Sequence, residues 1–361
     1  MSICFHHKWL RTSCYQGEIK NIFSYIKSFS RSFTMISSMQ KKTLLLSSYT
    51  FSKDGNKVGE IVMNTKIGLK QMRLSGADAE LFSIEDEQIL YLKEEFNKAG
   101  AVYEIAIEAE CEGEKVEGDF RIIRDEFKRN KVIAHRGAWK NSHAPENSLA
   151  SLDHAIKLGC EGSEFDVHLS SDSVLFVYHD AEFQGYVLET TSSDVLSSLL
   201  LENGERLPSL EAFLQNGIAQ NQTRLIIEIK PSLVSKERSL YTTSCVLQLV
   251  KELKAQAWVD YISFDYDVCL AIRKADPYVK VAYLDGDKGP MELSKDNIPG
   301  FDYNFEVLRK NENWINEASV LNLNTNAWTV DDEVTMRWLL EQGIDYITTN
   351  EPELLLTVTG N

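Results

Sequence analysis

From Lys131 onward the chain alternates short apolar, β-branched runs with segments of helical period, and few folds accept that pattern. The runs are IAHRG, EFDV, LIIEIK, YISF, VAYL, FDYNF, VLNLNTNAW and IDYITTN, most of them preceded by a helix-period segment such as Leu210 to Asn216 or Val334 to Glu341. Strict alternation of this kind predicts a closed parallel (β/α)8 TIM barrel. Barrel strands are covered on both faces, so a carboxylate or imidazole inside one needs a partner. Glu164 and Asp166 sit at i and i+2 in one run and share a face, while Glu228 lies within LIIEIK. His135 ends the first run, and His179-Asp180 ends a separate run, VLFVYHD. Polar residues at the C-terminal ends of barrel strands are where such folds keep their chemistry. The turn-prone Ser170-Ser171-Asp172-Ser173 between SEFDVHL and VLFVYHD predicts a hairpin, making the second an extra arm. Asn147 or Ser148 is expected to cap a helix running to Leu158, with Gly159 ending it.

The 361 residues exceed what one barrel requires. From Thr43 to Glu126, strand-like runs (TLLLSSYTF, KVGEIVM, ELFSI, QILYLK, VYEIAIEAE, GDFRIIR) are separated by turn-forming pieces such as Lys53-Asp54-Gly55-Asn56. Short strands at that spacing predict a β-sandwich. Glu126 to Asn130 reads as a linker. Residues 1–42 carry seven basic residues against one acidic, with serines throughout, and are expected to be a disordered leader; the composition also suits a transit peptide or a leader preceding a true start at Met35 or Met39. The expected layout is therefore a leader over 1–42, an all-β sandwich over 43–126 and a barrel over 127–361.

A formal net charge of −16 argues against nucleic acid and anionic membranes as partners, and no apolar run approaches the length of a membrane helix. A phosphate-bearing substrate would then need local cations. Six scattered cysteines without CxxC spacing imply neither a disulfide framework nor a zinc site.

The set HRG, PEN, E-x-D-V, H-D, E-x-K, N-A-W-T and T-T-N, in that order, resembles the glycerophosphodiester phosphodiesterase family, whose barrel is related to the phosphatidylinositol-specific phospholipases C. The resemblance covers residues 131 to about 356 and implies metal-dependent hydrolysis of small glycerophosphodiesters to glycerol 3-phosphate and an alcohol. Carried over by position, Glu164, Asp166 and Glu228 match the ligands of one divalent cation, Mg²⁺ or Ca²⁺. His135 and His179 match the catalytic acid and base, and Arg136 and Lys230 supply charge for the phosphate. Trp328 is expected either to wall the glycerol or to pack in the core; Glu146, Asn147 and Asn350 are expected to brace loops. The sequence departs from the family after His179-Asp180, where Ala181 to Tyr186 replaces a longer Arg-Thr-Thr loop. Upstream, the run from KVGEIV to VYEIAIEAE resembles a cadherin-like repeat without its acidic calcium linkers. Two alternatives stay open: a related phospholipase or lyase barrel acting on a lipid phosphodiester, and a non-catalytic adhesion protein.

Overall fold

A computed structural model describes residues 42–65, 68–86, 88–93 and 100–360; all but the last residue of the expected leader lies outside them. The strand-rich half contains β1 (Leu44–Leu46), β2 (Thr50–Phe51), β3 (Lys57–Met63), β4 (Lys70–Ser75), β5 (Phe82–Glu85), β6 (Ile89–Leu92), β7 (Val102–Cys111) and β8 (Glu114–Arg124). They form two four-stranded sheets, β1-β3-β6-β5 and β2-β8-β7-β4. Alternation explains the pairing of faces: along β7, Tyr103, Ile105, Ile107, Ala109 and Cys111 are buried while the residues between them are not. Those side chains meet Leu46, Phe51, Ile61, Leu90 and Phe120 in one core, each large apolar residue contributing about 1.5–3 kcal/mol on burial. Sequence reading missed β4. It is an edge strand whose only partly buried residues are Met72 and Leu74, too thin an apolar signal to stand out.

The second half contains β9 (Val132–Ala134), β10 (Gly162–Leu169), β11 (Leu175–Val177), β12 (Glu182–Phe183), β13 (Tyr186–Val187), β14 (Arg224–Ile229), β15 (Val259–Ser263), β16 (Val281–Tyr283), β17 (Gly300–Asn304), β18 (Asn324–Trp328) and β19 (Tyr346–Thr349). Eight of them close as a parallel barrel in the order β9-β10-β14-β15-β16-β17-β18-β19, with Gly162 opposite Ile133 and Thr349 opposite Ala134 at the seam. The expected extra arm is β11, antiparallel to β10 with Leu175 opposite Leu169. The helix Leu149–Leu158 starts at Ser148, whose hydroxyl accepts from the Ser151 N–H, and ends at Gly159 with φ 76°. One expected strand begins late. Val320 completes the helix Trp314–Val320 and Asn322 turns the chain at φ 56°, so β18 starts only at Asn324.

The expected linker is held fast. Phe127 is buried with the Arg224 guanidinium 4.2 Å above its ring, and the Lys128 N–H donates to the Gln222 carbonyl at 2.8 Å. Beside it, Lys254 reaches Glu104 at 2.9 Å, and the Asn221 amide donates to the Arg124 carbonyl at 3.0 Å. Asn221, Gln222 and Lys254 lie on the turns that lead into β14 and β15. The sandwich therefore docks at the N-terminal ends of the barrel strands. Cys111, Cys160, Cys245 and Cys269 are buried, as small apolar residues are, and form no disulfide among the described residues; Cys4 and Cys14 lie outside them.

Candidate active site

Strand β10 shows how the sequence builds the site. All eight of its residues are buried. Phe165 faces outward, its ring 4.3 Å from that of Phe213, so the alternate residues Glu164, Asp166 and His168 face into the barrel. Asp166 stands beside Glu228 of β14 in the parallel register.

The loop after β9 wraps around these carboxylates by adopting left-handed backbone at Arg136 (φ 56°), Gly137 (φ 80°) and Asn147 (φ 58°). That path aims the Arg136 N–H at Glu164 Oε2, 2.9 Å away, and the Asn147 N–H at the Arg136 carbonyl, also 2.9 Å. Asn147 then brackets Asp166, donating from Nδ2 to Oδ2 at 2.8 Å and accepting the Asp166 N–H at 3.1 Å. A Cβ at position 137 would lie 2.3 Å from Ser151 Oγ and 2.7 Å from its carbonyl carbon. Gly137→Ala is therefore expected to destabilise the protein by about 1–3 kcal/mol from backbone strain alone, with overpacking adding to it. A denaturation midpoint unchanged from wild type would show that this turn is not rigid.

Glu164, Asp166 and Glu228 each offer an oxygen within 4.8 Å of the others, all three buried. Lys230 lies between two of them, 2.9 Å from Asp166 Oδ1 and 2.8 Å from Glu228 Oε1. Burial, then Asp166 and Glu228, pushes the Glu164 carboxyl well above the usual range. Burial and Asp166 likewise push Glu228 up to about 7. For Asp166 burial acts in the same direction, yet Lys230, His179 and Asn147 outweigh it and hold this carboxyl below its ordinary value. One ammonium thus does not neutralise three carboxylates, and Glu164 Oε1 is buried with no hydrogen-bond partner. Crowded hard oxygens with one atom left over fit a divalent cation.

His135 sits over this trio with Nε2 4.0 Å from Glu164 Oε2 and Nδ1 2.9 Å from Asn350 Oδ1. Burial, followed by the charge of Arg136, lowers its pKa to about 4, so the ring is neutral near pH 7. His179 comes from the arm, its Nδ1 2.7 Å from Asp180, and its carbonyl is held by His168 Nε2 at 3.1 Å. His168 is thereby a buried anchor for the His179 backbone.

The two cations expected to meet phosphate are already engaged: Arg136 makes a forked contact with Glu146 at 2.9 and 3.0 Å, and Lys230 is held as described. The Arg136 Nε is buried without a hydrogen-bond partner, 3.7 Å from Asp166. Trp328, at the end of β18, donates its indole N–H to the Asp302 carbonyl at 2.9 Å and packs edge-on against Phe264. Two residues escaped sequence reading. Asp331 clamps Asn350 from the adjoining loop, and Asp302 is buried at 1% exposure inside the barrel with Oδ1 unpaired. Burial, then the charge of Glu228, pushes the Asp302 carboxyl well above its usual range.

A model of the glycerophosphoryl diester phosphodiesterase family matches residues 135–354 of the chain. The putative glycerophosphodiester phosphodiesterase YhdW of Bacillus subtilis (strain 168) is 29% identical over 247 residues, 62% of this chain and 96% of its own length. A solved glycerophosphodiester phosphodiesterase from Parabacteroides distasonis is 40% identical with a TM-score of 0.63, covering 65% of this chain and 98% of that one. An Oleispira antarctica phosphodiesterase, solved with the product sn-glycerol-3-phosphate, shares the fold at 21% identity and a TM-score of 0.56, covering 64% of this chain and 97% of that one.

Proposed function

The chain belongs to the glycerophosphoryl diester phosphodiesterase family, and on that premise we propose that it cleaves glycerophosphodiesters to glycerol 3-phosphate and an alcohol with one divalent cation, Mg²⁺ or Ca²⁺, held by Glu164, Asp166 and Glu228. The observation that carries this reading is the convergence of three buried carboxylates and two histidines at one end of the barrel. Bound there, the cation supplies Lewis-acid stabilisation of the phosphoryl oxygens. Neutral His135 serves as the base and takes the proton of the glycerol hydroxyl next to the phosphate. His179, with Nδ1 given to Asp180, protonates the departing alcohol from Nε2. Among the described residues neither histidine has a serine or cysteine partner to serve as a protein nucleophile, so the substrate's own hydroxyl attacks and a cyclic phosphate forms. Water opens it with the histidines exchanging roles, while Arg136 Nε and Lys230 offset charge on the phosphoryl group.

Incubation with glycerophosphocholine and glycerophosphoethanolamine, with and without chelator, tests the reading through release of glycerol 3-phosphate. No release from any such diester in the presence of Mg²⁺ or Ca²⁺ would overturn it. The β-sandwich we read as a placement module, since it contributes no residue to the trio or the histidines. Removal of residues 1–41 should leave turnover unchanged, because the catalytic groups all lie beyond Lys131; a folded truncation without activity would contradict this.

A lipid phosphodiester is favoured as a second substrate by one observation. Leu233 is 78% exposed and Val234 54% on the loop after β14, and Tyr186 and Val187 are exposed on the hairpin after Asp180. The Leu233 N–H joins the two segments through Glu189 at 2.9 Å. Such a patch at the catalytic end suits an acyl chain. Leu233→Asp should then lower kcat/KM for a monoacyl diester at least about tenfold, the loss of roughly 1.4 kcal/mol of apolar burial, and leave glycerophosphocholine unaffected; equal effects on both would remove this reading.

A further inference from the structure

The two catalytic-end loops after β18 and β19 meet in a chain of hydrogen bonds that ends on His135. Asn350 is held on both sides. Its Nδ2 donates to Asp331 Oδ2 at 2.9 Å and its backbone N–H to Asp331 Oδ1 at 2.8 Å, while Thr349 Oγ1 donates to the same Oδ1 at 3.1 Å. On its other face Trp139 Nε1 donates to Asn350 Oδ1 at 3.3 Å. A carboxylate only accepts and an indole N–H only donates, so the amide can be oriented in one way. Asn350 Oδ1 is thus an acceptor by necessity, and it lies 2.9 Å from His135 Nδ1.

We propose that Asp331 is a positioning residue that, through the amide of Asn350, keeps the proton of His135 on Nδ1 and leaves Nε2 open toward the carboxylate trio. The role of the open nitrogen rests on the reading of His135 as a base; the placement of the proton does not. Imidazole has one proton to share between two nitrogens, and the hydrogen bond made by one decides what the other can do. Were the Asn350 amide to turn over, its NH₂ would face Nδ1, the proton would move to Nε2, and the base would be blocked where substrate binds. Asp331 itself touches neither His135 nor the trio. Its influence passes entirely through the orientation of a neutral amide.

The test is the ¹⁵N spectrum of His135 in the full chain, labelled at histidine, together with steady-state kinetics. Wild type is expected to show Nδ1 as the protonated nitrogen and Nε2 as the bare one. A wild-type spectrum with the proton on Nε2 overturns the proposal outright, whatever becomes of the variants. Asp331→Asn should mix the two tautomers and lower kcat about 10–100-fold, the usual effect of removing an outer partner, with KM changed less than about twofold. Adding Asn350→Asp to it should restore the tautomer and most of kcat, because the new carboxylate accepts from His135 and the new amide at 331 donates to it. A lowered kcat with an unchanged tautomer, or a double variant whose tautomer stays mixed, would reduce Asp331 to a loop brace. Absence of any phosphodiesterase activity would instead remove the proposed function, and the spectrum would still decide where the proton sits.

Discussion

Glu228→Gln should yield a folded protein with at least about 10²–10³-fold lower turnover. The reasoning is electrostatic. Three carboxylates within 4.8 Å have one ammonium between them, and two of the three carboxyls are pushed upward by burial and by one another. An amide at 228 relieves that crowding, so thermal stability without metal should not fall. What is lost is a cation ligand, and a Lewis acid is worth several kcal/mol of transition-state stabilisation, with each 1.36 kcal/mol a factor of about ten. A second signal separates binding from catalysis: saturating Mg²⁺ or Ca²⁺ should stabilise wild type by about 2.7 kcal/mol at a hundredfold excess over Kd and should stabilise Glu228→Gln far less. Full wild-type activity in excess EDTA would defeat the assignment of these residues as ligands.

His135→Ala and His179→Ala should each cost about 10²–10⁴ in kcat, the usual worth of a placed acid or base. Their double variant should be little worse than either alone, because groups that act as a unit are not additive. His135 carries the clearer expectation. It is neutral at working pH, it is oriented through Nδ1, and its Nε2 faces the trio. A substrate lacking the glycerol hydroxyl adjacent to the phosphate should be inert, since no side chain replaces that nucleophile. Hydrolysis of the deoxy analogue at a comparable rate would mean that water attacks directly, and the two histidines would need other roles.

The barrel was legible because its evidence is periodic. Runs such as LIIEIK and EFDV repeat with helices between them, and burial of carboxylates in such runs needs an explanation wherever it occurs. The same logic singled out Glu164, Asp166 and Glu228, whose oxygens the barrel brings within 4.8 Å of one another. It failed where the signal is weak or distant. Asp302 sits in FDYNF, where one acidic residue among aromatics looks like a strand end, yet the register of β17 buries it completely. Asp331 lies 19 positions from the Asn350 it orients, and only the adjacency of β18 and β19 brings them together. Asn147 looked like a loop brace; its left-handed backbone, invisible in the sequence, turns its amide onto Asp166. The docking of the sandwich was equally hidden, since a few polar contacts at Asn221, Gln222 and Lys254 carry no periodicity.

The alternation along β10 makes this protein unusually intolerant of a one-residue length change. Insertion or deletion of one residue ahead of Glu164 would exchange the faces of the strand, sending Glu164, Asp166 and His168 into the helix layer and Phe165, Val167 and Leu169 into the barrel. The buried carboxylates and the core would be lost in the same event, so no such change could pass through a stable intermediate that lacks only the carboxylate trio. Length variation can accumulate only in the loops that join the strands to the helices.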